Sequence, residues 1–194
     1  MKLQKTTLVL MIAALILAIG VYFLELQQTN QPNDNQVNQQ KLFDFTTADI
    51  VGLTITREIN NQPQVITLVR GNEKTSLWQM QQPDNSPAND AVVDFLVGLL
   101  VETKTKAPIL VNDNQFIEFG LNLPLATIEI KLRNQQIFKL ILGKQTFDKG
   151  SLYAYKDEGN KNKKVFIVPL NFQNAIDRSL SEWKIAPVTT PTPK

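Results

Sequence analysis

Ser181 and Lys184 stand in the spacing S-x-x-K, in which a lysine one turn from a serine can take its proton and make it a nucleophile. The S-D-N and K-T-G elements that complete such a site are missing, and the chain is too short for a transpeptidase domain. Ser181-Glu182-Trp183-Lys184 therefore reads as a helix end with Trp183 packed on the domain. Asp90 and Asp94 lie one helical turn apart, a spacing that suits acid–base work or a hard cation. No other oxygen ligand clusters beside them, so a solvated helix face is expected. Leu142-Gly143-Lys144 follows a strand but lacks the upstream glycine of a phosphate loop. Tyr153 and Tyr155 alternate on a strand and, with Trp78, are the rings available for a sugar platform; core or edge packing is the plainer reading. The lysines of the mixed-charge run Lys156–Lys164 could meet anionic lipid headgroups, although a solvated hairpin tip is expected there. Phe147-Asp148-Lys149-Gly150 reads as a turn.

The chain contains neither histidine nor cysteine. Ser-His-Asp and Cys-His catalysis are thereby excluded, and so are typical zinc sites. Disulfides and a lipoprotein anchor are excluded with them, so the fold must hold by its core. A net charge of +2 with a pI of about 8.8 is no nucleic-acid footprint, because such binders carry dense basic faces. No catalytic, metal-ligating or cofactor-binding residue is assigned, and no cofactor is implied.

These residues need elements to position them. Ile50–Arg57 alternates, with Val51, Leu53 and Ile55 expected on one face and Thr54 and Thr56 on the other. Gln64–Arg70 is a second strand, joined through the turn Asn60-Asn61-Gln62-Pro63. Leu77–Met80 is a third, with Trp78 in the core. Ser86-Pro87 resembles an N-cap followed by proline at the first helical position, predicting a helix over Pro87–Glu102. Its apolar face is expected to be Ala91, Val92, Phe95, Leu96, Leu99 and Leu100. A short helix over Asp113–Phe119 should end at Gly120 in a left-handed conformation. Ala126–Leu132 and Gln136–Leu142 pair about the turn Asn134-Gln135, with Phe138, Leu140 and Leu142 inward. Leu152–Tyr155 and Val165–Val168 form another hairpin, and Leu170–Arg178 a last helix. The expected fold is α+β: an antiparallel β-rich domain of two sheet segments, carrying two or three short-to-medium helices on one face.

Upstream lies the apolar run Leu8–Leu24, free of charge and proline. With its flanks it approaches about 20 residues, the length of a membrane-spanning helix. Lys2 and Lys5 precede it, which orients the N-terminus to the cytoplasm and sends the rest across. A cleaved signal peptide, with Ala18-Ile19-Gly20 near the cut, is the rival reading, but the apolar run continues through Val21-Tyr22-Phe23-Leu24. Gln27–Gln40, QQTNQPNDNQVNQQ, is too polar to bury anything and reads as a tether reaching roughly 20 Å on average. The expected organisation is a cytoplasmic stub and anchor over 1–26, a linker over 27–41, an exported domain over 42–186 and a disordered tail over 187–194.

Several segments carry a family resemblance: Trp78-Gln79-Met80 before Pro83; Ala88-Asn89-Asp90-Ala91; Phe119-Gly120-Leu121 before Pro124; Leu142-Gly143; Leu152-Tyr153-Ala154; and Arg178–Trp183. Together they resemble the bacterial domain of unknown function 4340 family, in particular its short cyanobacterial members. The resemblance covers about 42–184, with phenylalanine at position 119 where many members have tyrosine. It implies one N-terminal membrane helix and an exported β-rich domain. It also implies, for some members, association with auxiliary components of gliding-type ABC transporters. No catalytic residues are established for the family, and none is carried over.

The expected function is that of a non-enzymatic, single-pass membrane protein held in the bilayer through Leu8–Leu24. Its domain would be periplasmic or thylakoid-lumenal and would serve an envelope or transporter complex by contacting a membrane-protein partner. A ligand- or glycan-binding domain using Tyr153, Tyr155 or Trp78 is the alternative. A carboxylate-based hydrolase would need two acidic groups converging in a cleft.

Overall fold

The computed structural model describes residues 39–71, 77–157 and 163–185, all within the unit Gln39–Lys194. The apolar run, most of the linker, the tip of the 156–164 loop and the tail lie outside the described residues. Among the described residues no helix is long and apolar enough to cross a membrane.

The described residues of the unit are β-rich with three short-to-medium helices, an α+β arrangement. Its strands are β1 (Gln40–Lys41), β2 (Ile50–Ile59), β3 (Gln62–Arg70), β4 (Trp78–Gln82), β5 (Ser86–Pro87), β6 (Lys104–Thr105), β7 (Ile109–Val111), β8 (Ala126–Leu132), β9 (Ile137–Gln145), β10 (Ser151–Lys156) and β11 (Lys163–Pro169). The helices are α1 (Asp90–Glu102), α2 (Asp113–Glu118) and α3 (Asn171–Ile176). Every pairing is antiparallel, and nine strands form one sheet in the order β5-β4-β3-β2-β8-β9-β10-β11-β7. The two expected sheet segments are thus one sheet, because β2 pairs with β3 on one side and with β8 on the other. β1 and β6 form a separate two-stranded ribbon, so Gln40 and Lys41, expected as the end of the linker, are already paired structure.

The hairpins follow local chemistry. Asn60 and Asn61 both take positive φ, 53° and 59°, which the two-residue turns matching strand twist require and which asparagine tolerates. Ile59 then faces Gln62. Gln135 at φ 69° closes the β8–β9 turn. Alternation places Ala126, Ile128, Ile130 and Leu132 in the main core, with Leu140 and Leu142 beside them and Phe138 packed at the margin. Val51 departs from its expected place. The register slips between Ile50 and Gly52, so that Ile50, and not the half-exposed Val51, joins Leu53 and Ile55 in the core.

Helix α1 starts later than the sequence predicts, and its buried stripe keeps Val92, Leu96 and Leu100 of the expected face but takes Val93 and Val97 in place of Ala91, Phe95 and Leu99. Ser86 and Pro87 pair with Met80 and Gln79 as an edge strand, where a missing N–H costs nothing. Ala88 bridges to Lys184, and the Asn89 N–H donates to the Trp183 carbonyl at 2.8 Å, so the chain is held extended up to the N-cap. The buried stripe is Val92, Val93, Leu96, Val97 and Leu100. Ala91 and Phe95 are exposed and Leu99 only partly buried. An apolar run this dense fits more than one face, and contact with α3 and the sheet selects it.

The main core occupies one sheet face beneath α1, α3 and the entering segment Leu42, Phe43 and Phe45. α2 covers the opposite face instead of sharing the first. Phe116 meets Tyr155 edge-on at 5.2 Å, and Phe119 stacks on Tyr153 at 4.0 Å, forming a smaller cluster with Leu121 and Val165. α2 carries a complete capping box on Asn112 and Gln115, and the chain leaves it through Gly120 at φ +72°, as the sequence predicts.

Candidate functional site

The residues singled out by type and spacing come to rest in structural roles. Asp90 accepts the backbone N–H of Trp78 at 2.8 Å, and Asp94 accepts its indole N–H at 3.2 Å. Arg70 lies 4.8 Å over the Trp78 ring and 3.7 Å from Asp94. One helical turn of carboxylates thus docks α1 onto β4, so the face, still solvated at Asp94, also anchors a strand. Lys184 pairs with Asp84, not with a serine, while Ser181 lies against Ser179 at 2.9 Å. The Trp183 side chain is fully buried, as expected.

The three rings of the glycan alternative do not meet. Trp78 is buried in the main core, while Tyr153 and Tyr155 sit on the opposite face beneath Phe119 and Phe116. Leu142-Gly143-Lys144 has a packing role. A Cβ at Gly143 would lie 2.3 Å from the Phe119 carbonyl oxygen, which also accepts the Lys144 N–H at 2.8 Å. Gly143 therefore admits the Phe119-Gly120-Leu121 bend onto β9. The family-like segments assemble into two closures: this bend, and the Trp78–α1–Trp183 seam.

Arg57 was not singled out in the sequence, where it closes an exposed-looking strand end. It is buried, donates to Gln64 Oε1 at 2.7 and 2.9 Å, to the Arg178 carbonyl at 2.7 Å and to the Ile176 carbonyl. It thereby satisfies carbonyls at the C-terminus of α3. Burial lowers its pKa, and the charge of Asp177 opposes that shift.

A groove of about 620 Å³ opens at the end of the sheet that bears the β8–β9 turn. Phe43, Phe45 and Phe138 form its aromatic floor, with ring centroids 4.9 to 5.9 Å apart. Lys156 reaches over Phe43 at 5.4 Å and Phe166 at 5.1 Å. The rim carries Asp44, Asp49 and Arg133. Asp49 accepts from the Thr46 N–H at 2.8 Å and hydroxyl at 2.7 Å, which pulls its pKa down and fixes the rim turn. Only the Phe-Asp-Phe pattern at 43–45, next to a polar stretch, signals this groove in the sequence. It offers an aromatic, mixed-charge binding surface.

The other carboxylates with displaced pKa values are Asp84, Asp113, Asp148 and Glu182, and all are lowered. The main causes are hydrogen bonds from Lys184, Lys163, the Thr146 hydroxyl and the Ser179 N–H respectively. Each favours the ionised form, the reverse of what a general acid needs. Among the described residues no group of three or more acidic side chains is placed to hold a metal ion.

The family model described as "Domain of unknown function (DUF4340)" matches residues 78–186, more than half of the 194-residue chain. No curated protein and no solved structure matches it.

Proposed function

The chain belongs to the domain of unknown function 4340 family, and from that premise we propose that it is a membrane-anchored, extracytoplasmic, non-enzymatic interaction module. It is held in the bilayer by Leu8–Leu24 with its N-terminus cytoplasmic. Its folded unit stands periplasmic or thylakoid-lumenal, serving an envelope or transporter complex of the ABC type through a membrane-protein partner. The observation that carries this reading is the charge-free apolar run, followed by a polar stretch that delivers the chain to the folded unit at Gln39. Support comes from the roles of the candidate chemical groups, since Asp90, Asp94 and Lys184 serve packing. A short tether also keeps the domain at high effective concentration for a partner in the same membrane.

The test is purification of C-terminally tagged full-length protein from native membranes in mild detergent after cross-linking. A stoichiometric membrane-protein partner supports the reading. Recovery from the soluble fraction with the N-terminal segment intact overturns the anchor, and recovery from membranes alone overturns the partnership.

A further inference from the structure

Phe147 is fully exposed at the tip of the β9–β10 turn. That turn is closed by its own bonds. The Thr146 N–H donates to the Ser151 carbonyl at 2.8 Å and the Lys149 N–H to the Thr146 carbonyl at 2.9 Å. Asp148 Oδ1 accepts from the Thr146 hydroxyl at 2.5 Å and the Gly150 N–H at 3.1 Å. Folding therefore holds a phenylalanine in water on a fixed support beside Lys149. A lone exposed apolar residue needs no explanation; its surroundings here do.

Gly150 and Ser151, which complete the turn, line a groove of about 440 Å³ shared with Gln39, Lys104 and Lys106. Lys41 pairs with Lys104 across the β1–β6 ribbon. Two further exposed apolar residues, Ile109 at 40% and Ile167 at 45%, line the same groove, and no acidic side chain does. Gln39 is where the chain from the apolar run enters the folded unit, and residues 25–38 reach at most about 50 Å when fully extended. One end of the unit thus combines an exposed aromatic ring, a groove lined by Lys104 and Lys106 with no acidic side chain, and the attachment point of the tether; the carboxylate of Asp148, beside Lys149, is tied into its own turn. Interfacial aromatic residues and lysines are the groups that settle at headgroup level and attract anionic lipid.

We propose that this end of the domain, Phe147 with Lys149, Lys41, Lys104 and Lys106, docks onto the anionic phospholipid surface of the membrane that anchors the chain. The inference rests on the anchored reading above. Docking sets the orientation of the domain: the aromatic groove lies beside the β8–β9 turn, at the far end of the sheet from the β9–β10 turn, and so faces away from the bilayer.

The chain has no cysteine, so single-cysteine variants F147C and Q136C of the full-length protein can each carry an environment-sensitive dye. Both are reconstituted into vesicles of phosphatidylglycerol with phosphatidylcholine, and of phosphatidylcholine alone. The dye at 147 is expected to report an apolar setting and to be quenched by spin-labelled acyl chains in the anionic vesicles. That signal falls at high salt and in the neutral vesicles, while the dye at 136 reports water throughout. Each of K104Q, K106Q and K149Q, combined with F147C, lowers the docked-to-undocked ratio about fivefold. Protein that stays with the vesicles through an alkaline carbonate wash, yet has dye 147 in water, overturns the docking and leaves the anchor standing. Protein released by the wash overturns the anchored reading and the docking with it. A signal at 147 that appears in detergent without lipid and rises with protein concentration assigns the surface to a second copy and overturns the proposal.

Discussion

At the residue scale, Gly120 in the α2–β8 bend and Gly143 on β9, against which that bend packs, differ in what they must accommodate. Gly143 faces a backbone carbonyl and Leu121, neither of which can withdraw cheaply, so Gly143→Ala should cost about 1–3 kcal/mol by overpacking. Gly120 at φ +72° faces only the flexible Lys144 side chain, so Gly120→Ala should cost about 1–2 kcal/mol, mostly conformational. Urea unfolding of both variants ranks them; a costlier Gly120→Ala would mean the close approach at Gly143 relaxes. The paired aspartates separate in the same way. Asp90→Ala strips a partner from a part-buried N–H and should cost about 1–3 kcal/mol, with Asp94→Ala, on the exposed rim, costing less. Asp84 carries a pH dependence of known sign. Its folded pKa lies below the usual 3.8 because Lys184 and Ser86 donate to it, so its contribution is complete above that value and is lost as pH falls through the folded pKa. Asp84→Asn should flatten the acid limb of a melting-temperature profile below about pH 4 and leave its neutral part parallel to wild type.

At the scale of elements, what was legible in the sequence was whatever local pattern decides. Alternation in Ala126–Leu132, the Asn-Asn and Asn-Gln turns, and Gly120 after a short capped helix each have one low-energy answer within a few residues, and the fold adopts it. Long-range contacts decided the rest. Ser86-Pro87 carries a helix-start signature, but strand β4 and the Trp183 carbonyl compete for the same segment and win. Val51 alternates correctly and is displaced by a bulge that only the β8 register reveals. The union of two hairpin groups into one sheet through β2 and β8 has no sequence signature, and the aromatic groove depends on that union. α1 allows a direct check of its selected face. Leu96→Ala, fully buried, should cost about 2–5 kcal/mol. Phe95→Ala, one residue away, 39% exposed and with the Arg178 guanidinium 5.6 Å over its ring, should cost less, about 1 kcal/mol. Comparable losses in thermal or urea unfolding would mean that the helix is rotated toward the face its periodicity suggests.

At the scale of the molecule, one core runs the breadth of the sheet, from Trp78 and Met80 on β4 to Phe166 and Val168 on β11, without a break at β2–β8. The first and last described segments reinforce it. Leu42, Phe43 and Phe45 enter beneath the β8–β11 half, whereas Trp183 returns to α1 and the Pro87–Asn89 segment beside β4. Arg57, toward the hairpin end of the inner strand β2, donates to the last carbonyl of α3 and to that of Arg178 just beyond it. A domain tied across its middle in this way should open as one unit, because separating the halves would expose apolar strand faces and strand edges together. Native-state hydrogen exchange on the full-length protein in mild detergent measures this directly. As denaturant rises, the slowest amides of β3 and of β10 should converge on one opening free energy. Two separate limits would show that the β5–β2 and β8–β11 halves unfold independently.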